Sequence, residues 1–222
     1  PEDEAKALRR LAGLDVAPDV LGFWPESSLL VYNYVEGEMW DGDMEGVAQL
    51  LLRKEVADPE GFRAVPIDPG EIIAEGDALF ARCKAPPEVN PPPVVKVTPP
   101  DRFSLIHTDI GVNLVGEGVN LRLIDWQCPA IGDLCEDIYS FLSPAFQILG
   151  ERAPLTDTQI QDFWQALARP DLAKRYDLLR PAYAWRFAGY CAWRVEVLKD
   201  SEICARYHRA LGEELSYMRQ PA

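Results

Sequence analysis

LIHTDIGVNLVGEGVNLRLIDWQCPAIGDLCEDIYSFL, residues 105–142, is the stretch on which the reading of this chain turns. It carries His107, Asp109, Asn113 and Asp125. Between the last two, NLV at 113–115, GEG at 116–118 and VNLRLI at 119–124 predict a tight β-hairpin. A hairpin brings its ends together, so Asp109, Asn113 and Asp125 can face one small volume. Two carboxylates and a carboxamide are hard oxygen donors of the kind magnesium prefers. Magnesium uses few carboxylates and leaves room for water and phosphate oxygens, so the set suits a phosphoryl donor presented as its metal complex. A carboxylate left off the metal can take the proton of an attacking hydroxyl, contributing position as much as basicity. Each element alone has a plainer reading. An Asp–Asn pair is common turn chemistry. A lone histidine is often a core residue bonded to backbone, IDW can be a strand end, and Asp133 can be a helix cap. Their occurrence together, in this order, points to chemistry.

Working outward, residues 103–107 read as a short apolar strand. Residues 2–12 predict an amphipathic helix, with Ala5, Leu8, Leu11 and Ala12 on one face and acids in the first turn. Residues 19–24 and 28–35 predict two strands joined at PESS. A helical stripe begins with Met44, Val47, Leu50 and Leu51, and another helix is expected over 71–83. Residues 86–100 hold seven prolines and predict an extended connection. From Asp133 on, helices are expected at about 133–142, 157–168, 171–179, 181–199 and 201–218. The expected class is α+β, with the catalytic hairpin as the only polar island in a mostly helical lobe.

Composition bounds the function. The 222 residues are 48% hydrophobic and 26% charged, enough for a sizeable core in a globular protein. No apolar run approaches the roughly 20 residues that span a bilayer, and PEDEAKALRR is no signal peptide. The expected setting is cytoplasmic, without a membrane partner. A net charge of −14 argues against nucleic acid. Five cysteines, at 83, 128, 135, 191 and 204, show no metal-type spacing and predict reduced thiols.

The central stretch resembles the catalytic and metal-binding loops of the aminoglycoside/choline phosphotransferase family, which has the protein-kinase-like fold. HTD resembles the family's His-Gly-Asp, and IDW its Ile-Asp-Trp. GDLCEDIYSF resembles the segment that opens the next helix. The resemblance implies Asp109 as catalytic base, Asn113 and Asp125 as magnesium ligands, and His107 and Asp137 as braces of the loop. Asp109 and Asn113 enclose three residues, one fewer than the family pattern. EAKALRRL resembles the helix whose glutamate pairs with the ATP-binding lysine, which nominates Glu4. LLVYNYVEGEMW resembles the last small-lobe strand and hinge, where the backbone of Tyr32, Asn33, Tyr34 and Val35 would meet adenine. Residues 1–36 are thus expected to be a remnant of the small lobe, and 37–222 the helical lobe.

The resemblance implies an ATP- and magnesium-dependent kinase of a small hydroxyl-bearing molecule. The glycine-rich loop and strand lysine of such a site would lie upstream of Pro1. The alternative is a noncatalytic, pseudokinase-like binding or scaffold module. Trp40, Trp185, Trp193 and Glu196 are candidates for a substrate pocket, and aromatic and acidic groups would suit a cationic acceptor.

Overall fold

The acids Glu2, Asp3 and Glu4 open the first helix, α1 (Glu2–Leu11), and Arg9 and Arg10 close it, matching its dipole; Ala5, Leu8 and Leu11 are on its buried face. This is a computed structural model, in which residues 1–220 are described. β1 (Val20–Trp24) and β2 (Leu29–Tyr32) pair antiparallel, and Ser28 makes the turn in a left-handed conformation. α2 (Met44–Glu55) starts at Asp43, whose carboxylate accepts the Gly46 N–H. β3 (Arg63–Ala64) follows, then α3 (Pro69–Phe80), capped by Asp68 with proline in the first turn. The proline-rich connection has no regular structure. β4 (Ser104–Ile106), β5 (Leu114–Val115), β6 (Arg122–Leu123) and β7 (Ala130–Gly132) lead to five helices: α4 (Leu134–Leu142), α5 (Pro144–Leu149), α6 (Asp157–Leu167), α7 (Pro170–Val197) and α8 (Ser201–Met218).

The chain divides into two units. The first comprises Pro1–Val65, Arg102–Asp137 and Thr156–Pro170. Here α2 packs on α6, burying Val47, Leu50 and Leu51 on one side and Phe163 and Leu167 on the other. A three-stranded sheet lies in the same unit, with β7 central, parallel to β3 and antiparallel to β4. The second unit comprises Pro66–Asp101, Ile138–Leu155 and the chain from Asp171 on. Its core joins Ala145 and Ile148 of α5 to Cys191 of α7 and Ala210 of α8. Among the described residues no helix is long and apolar enough to cross a membrane, and none of the five cysteines is in a disulfide.

The α+β, mostly helical class is as expected, with three corrections. β3 and β7 were not expected, because they are too short to show a strand pattern and are defined by their pairing. The hairpin turn is longer than GEG: β5 and β6 flank Gly116–Leu121, which contains a 3-10 turn at Gly118–Asn120. Asp43 draws the Gly118 N–H to its carboxylate at 2.6 Å, so the turn is shaped by the residue that caps α2. Helices 171–179 and 181–199 are one, because α7 runs through Pro181. A proline inside a helix removes one hydrogen bond, and the packing of both flanks outweighs that loss.

Candidate active site

The polar residues singled out in the sequence lie in the first unit. β4 is fully buried and delivers His107 at its end. The chain then bends sharply at Thr108, whose φ is +72°. That region is unfavourable for a β-branched residue, and here threonine stands where the resembled motif has glycine. Two bonds hold the bend. Asp137 accepts the His107 N–H at 2.9 Å through one carboxylate oxygen, and the Thr108 N–H at 2.8 Å through the same one. Asp137 is completely buried, and its other oxygen meets the Lys54 ammonium at 2.7 Å. Lys54, also completely buried at the end of α2, donates to the Leu105 carbonyl at 2.7 Å.

His107 joins two parts of the site. Its Nε2 is 2.9 Å from the Ile124 carbonyl, and its Nδ1 accepts the Asp109 N–H at 3.3 Å. This pattern needs the neutral ring with its proton on Nε2. Burial pushes the imidazole pKa down, which favours the same state. The ring also stands edge-on to Trp126 at 4.7 Å. With both nitrogens engaged, it spans from the backbone of Asp109 to the residue before Asp125.

The hairpin closes on the same place. The Ile124 N–H donates to the Asn113 carbonyl at 2.9 Å, so Asn113 and Asp125 flank a paired strand end. Asp125 has a φ of +62°, and Gln127 donates to its carboxylate. The Asn113 Nδ2 donates to the Asp109 carbonyl at 2.8 Å. This bond crosses a loop that is one residue short and leaves Oδ1 as the side chain's acceptor. Asp109 is half-buried; desolvation, and then the charge of Asp125, push its carboxyl up to about 6, against a smaller opposing pull from the Asn113 hydrogen bond. The two carboxylates therefore share one electrostatic volume.

Glu4 and Tyr32 belong to that volume. Burial raises the Glu4 carboxyl, and the Asp125 charge raises it further. Burial raises the Tyr32 phenol, followed by the charges of Glu4 and Asp125. Asn33, Tyr34 and Val35 line an open cleft of about 500 Å³ with Asp15, Asp19 and Arg122. Lys6 donates to the Gly61 carbonyl and lies over the Phe62 ring.

Lys54, Thr108 and Gln127 carry no distinctive signal in the sequence. A lysine in the last turn of an amphipathic helix reads as a solvated end. Of the pocket candidates, Trp40 is buried, with its indole N–H on the Asp43 carbonyl at 2.9 Å. Trp185, Trp193 and Glu196 are in the second unit, where Trp185 donates to Asp77, Arg82 covers Trp193, and Glu196 accepts the N–H groups of Lys84 and Ala85. Among the described residues no group of three or more His, Cys, Asp or Glu side chains is arranged to hold a metal.

No protein-family model matches the chain, and no curated protein matches it. Solved structures do. A choline/ethanolamine kinase family protein from Mesorhizobium loti aligns with a TM-score of 0.64 at 14% identity, covering 98% of this chain and 84% of that one. The ethanolamine kinase of Plasmodium vivax gives 0.63 at 11% identity, covering 97% of this chain and 71% of that one. Aminoglycoside phosphotransferase APH(4)-Ia gives 0.61 at 19% identity, covering 100% of this chain and 84% of that one. The chain therefore has the protein-kinase-like fold of the small-molecule phosphotransferases, the fold that the HTD and IDW motifs implied.

Proposed function

We propose that this protein is an ATP-dependent phosphotransferase that acts on a hydroxyl group of a small molecule, in the manner of aminoglycoside and choline kinases. One observation carries the reading. Asp109 is a half-buried carboxylate raised to about 6, with Asp125 and the Asn113 amide brought to it by a hairpin. The structural neighbours support the class, and one of them was crystallised with AMP-PNP and hygromycin B.

In this reading Asp109 accepts the acceptor's hydroxyl proton and orients its oxygen for in-line attack. A carboxylate near 6 is ionised at neutral pH and still basic enough to share that proton. Magnesium fits the donor set, because the charge of Asp125 already burdens Asp109 and Glu4, and a cation at Asp125 would relieve both. Asp125 and the Asn113 Oδ1 would hold it, leaving its other positions to water and phosphate oxygens. When bound, the ion would neutralise charge on the transferred phosphoryl group. His107 and Asp137 keep the loop in register. Tyr32–Val35 would supply the adenine contacts, and Glu4 would pair with a lysine.

The test is ADP release by the full-length protein with ATP, magnesium and a panel of amino alcohols and aminoglycosides. Acceptor-dependent release is expected, and Asp109→Asn should lower kcat by about 1000-fold. Equal turnover by the variant, or no acceptor phosphorylated across the panel, overturns the reading. Nucleotide binding without transfer would select the noncatalytic module, which the engagement of Asn113 with Asp109 also accommodates.

A further inference from the structure

We propose that Lys54 is a positioning residue for phosphoryl transfer: its buried ammonium lets Asp137 hold the strained Thr108 bend that aims Asp109. The inference rests on the function proposed above.

Three facts combine. First, the bend is unfavourable. Thr108 has a φ of +72° without the freedom of glycine, so the loop needs outside restraint. Second, the restraint is Asp137, which takes the N–H groups of both His107 and Thr108. A carboxylate with no exposed surface is costly unless its charge is balanced. Third, balance comes from a buried cation in contact with it, Lys54, at 2.7 Å. Lys54 also donates to the Leu105 carbonyl, within β4, three residues before Thr108. One ammonium therefore fixes both the strand that enters the loop and the carboxylate that shapes it. Lys54 ends α2, which is anchored at its start by Asp43, the residue that also binds the hairpin turn at Gly118. α2 thus connects at one end to the loop of Asp109 and at the other to the hairpin that presents Asn113 and Asp125.

A plain core role predicts something different. If the pair only stabilised the fold, replacing both partners by uncharged groups would restore stability and activity together, since a buried ion pair can be exchanged for neutral groups at little cost. A positioning role predicts that stability returns and turnover does not.

The experiment compares Lys54→Met, Asp137→Asn and the double variant of the full-length protein. It measures urea midpoints, amide hydrogen exchange at His107 and Thr108, and steady-state kinetics. Each single variant leaves one buried charge alone and should lower the midpoint, and the double variant should recover most of the loss. In Lys54→Met the His107 and Thr108 amides should exchange on the order of tenfold faster than their neighbours in β4. In the double variant kcat should stay about 100-fold low while KM for ATP is unchanged. Recovery of kcat with stability in the double variant overturns the proposal, as does unchanged protection of the two amides in Lys54→Met. If a single variant does not fold, the double variant still decides through kcat. If the wild-type protein transfers no phosphoryl group, the proposed function fails, and the amide exchange still decides whether Lys54 governs the bend.

Discussion

At the scale of single residues, the site combines groups that are individually unfavourable. Asp109 binds its proton more tightly in the fold than in the unfolded chain, where its pKa is 3.8, against about 6 here. Stability from this group is therefore present at low pH and is lost as pH rises from about 4 through 6. At pH 7.5 the cost approaches about 3 kcal/mol before any cation binds. Asp109→Asn should accordingly raise the thermal midpoint at pH 7.5 while it abolishes transfer, and differential scanning calorimetry at pH 4 and 7.5 should show the gain only at the higher pH. Thr108 makes the opposite trade. Thr108→Gly relieves a left-handed threonine worth about 1 kcal/mol, offset in part by glycine's freedom in the unfolded chain. With the Asp137 bonds intact, urea denaturation should show a stability equal to or above that of the parent.

At the scale of elements, the site depends on where short segments are pinned. β5 and β6 each have two residues, too few to stand alone. They are held from outside, by the Trp40 N–H on the Leu114 carbonyl and the Leu123 N–H on the Val16 carbonyl. In the second unit, α3 and α7 approach at glycines. A Cβ on Gly189 would come within 2.8 Å of the Gly76 carbonyl oxygen and 3.1 Å of the Leu79 Cβ. Neither neighbour is a flexible side-chain end. Gly189→Ala should therefore destabilise by about 1–3 kcal/mol, against the gain expected from helix propensity alone. Chemical denaturation of the variant is the direct check.

At the scale of the whole molecule, stability should vary with pH through buried groups in both units. In the second, Glu214 of α8 is completely buried. It accepts from the Tyr139 hydroxyl at 2.5 Å, the Ser143 hydroxyl at 2.6 Å and the Ala145 N–H at 3.3 Å. Burial pushes its carboxyl up to about 7, although those three bonds pull the other way. Its folded pKa exceeds the unfolded 4.5, so stability from it is lost as pH rises from about 4.5 through 7. His107 acts in the reverse sense. Burial depresses its pKa below 6.5, so the fold loses stability as pH drops through 6.5 and below. Glu214→Gln should reduce the loss on the alkaline side of the stability profile to the part that Asp109 contributes, leaving the decline on the acid side from His107. Thermal midpoints from pH 4.5 to 8 would read this out.

The helices other than α5 were legible in the sequence because an apolar face repeats every three or four residues and acids and prolines mark the starts. Asp109, Asn113 and Asp125 were legible because a hairpin must bring its ends together whatever surrounds it. Asn33, Tyr34 and Val35 were assigned from a motif, and the cleft they line was not legible, because which way a hinge segment faces depends on what packs beside it. Lys54 was invisible. Nothing in the local pattern of α2 distinguishes a lysine that reaches solvent from one that ends on Asp137, 83 positions on. The chain by itself determined which local elements form and which chemistry gathers at the hairpin, since both follow from near-neighbour spacing. Only the tertiary structure decided how the loop of Asp109 is held, because a buried charge is tolerable only beside its partner, and that partner is brought there by folding.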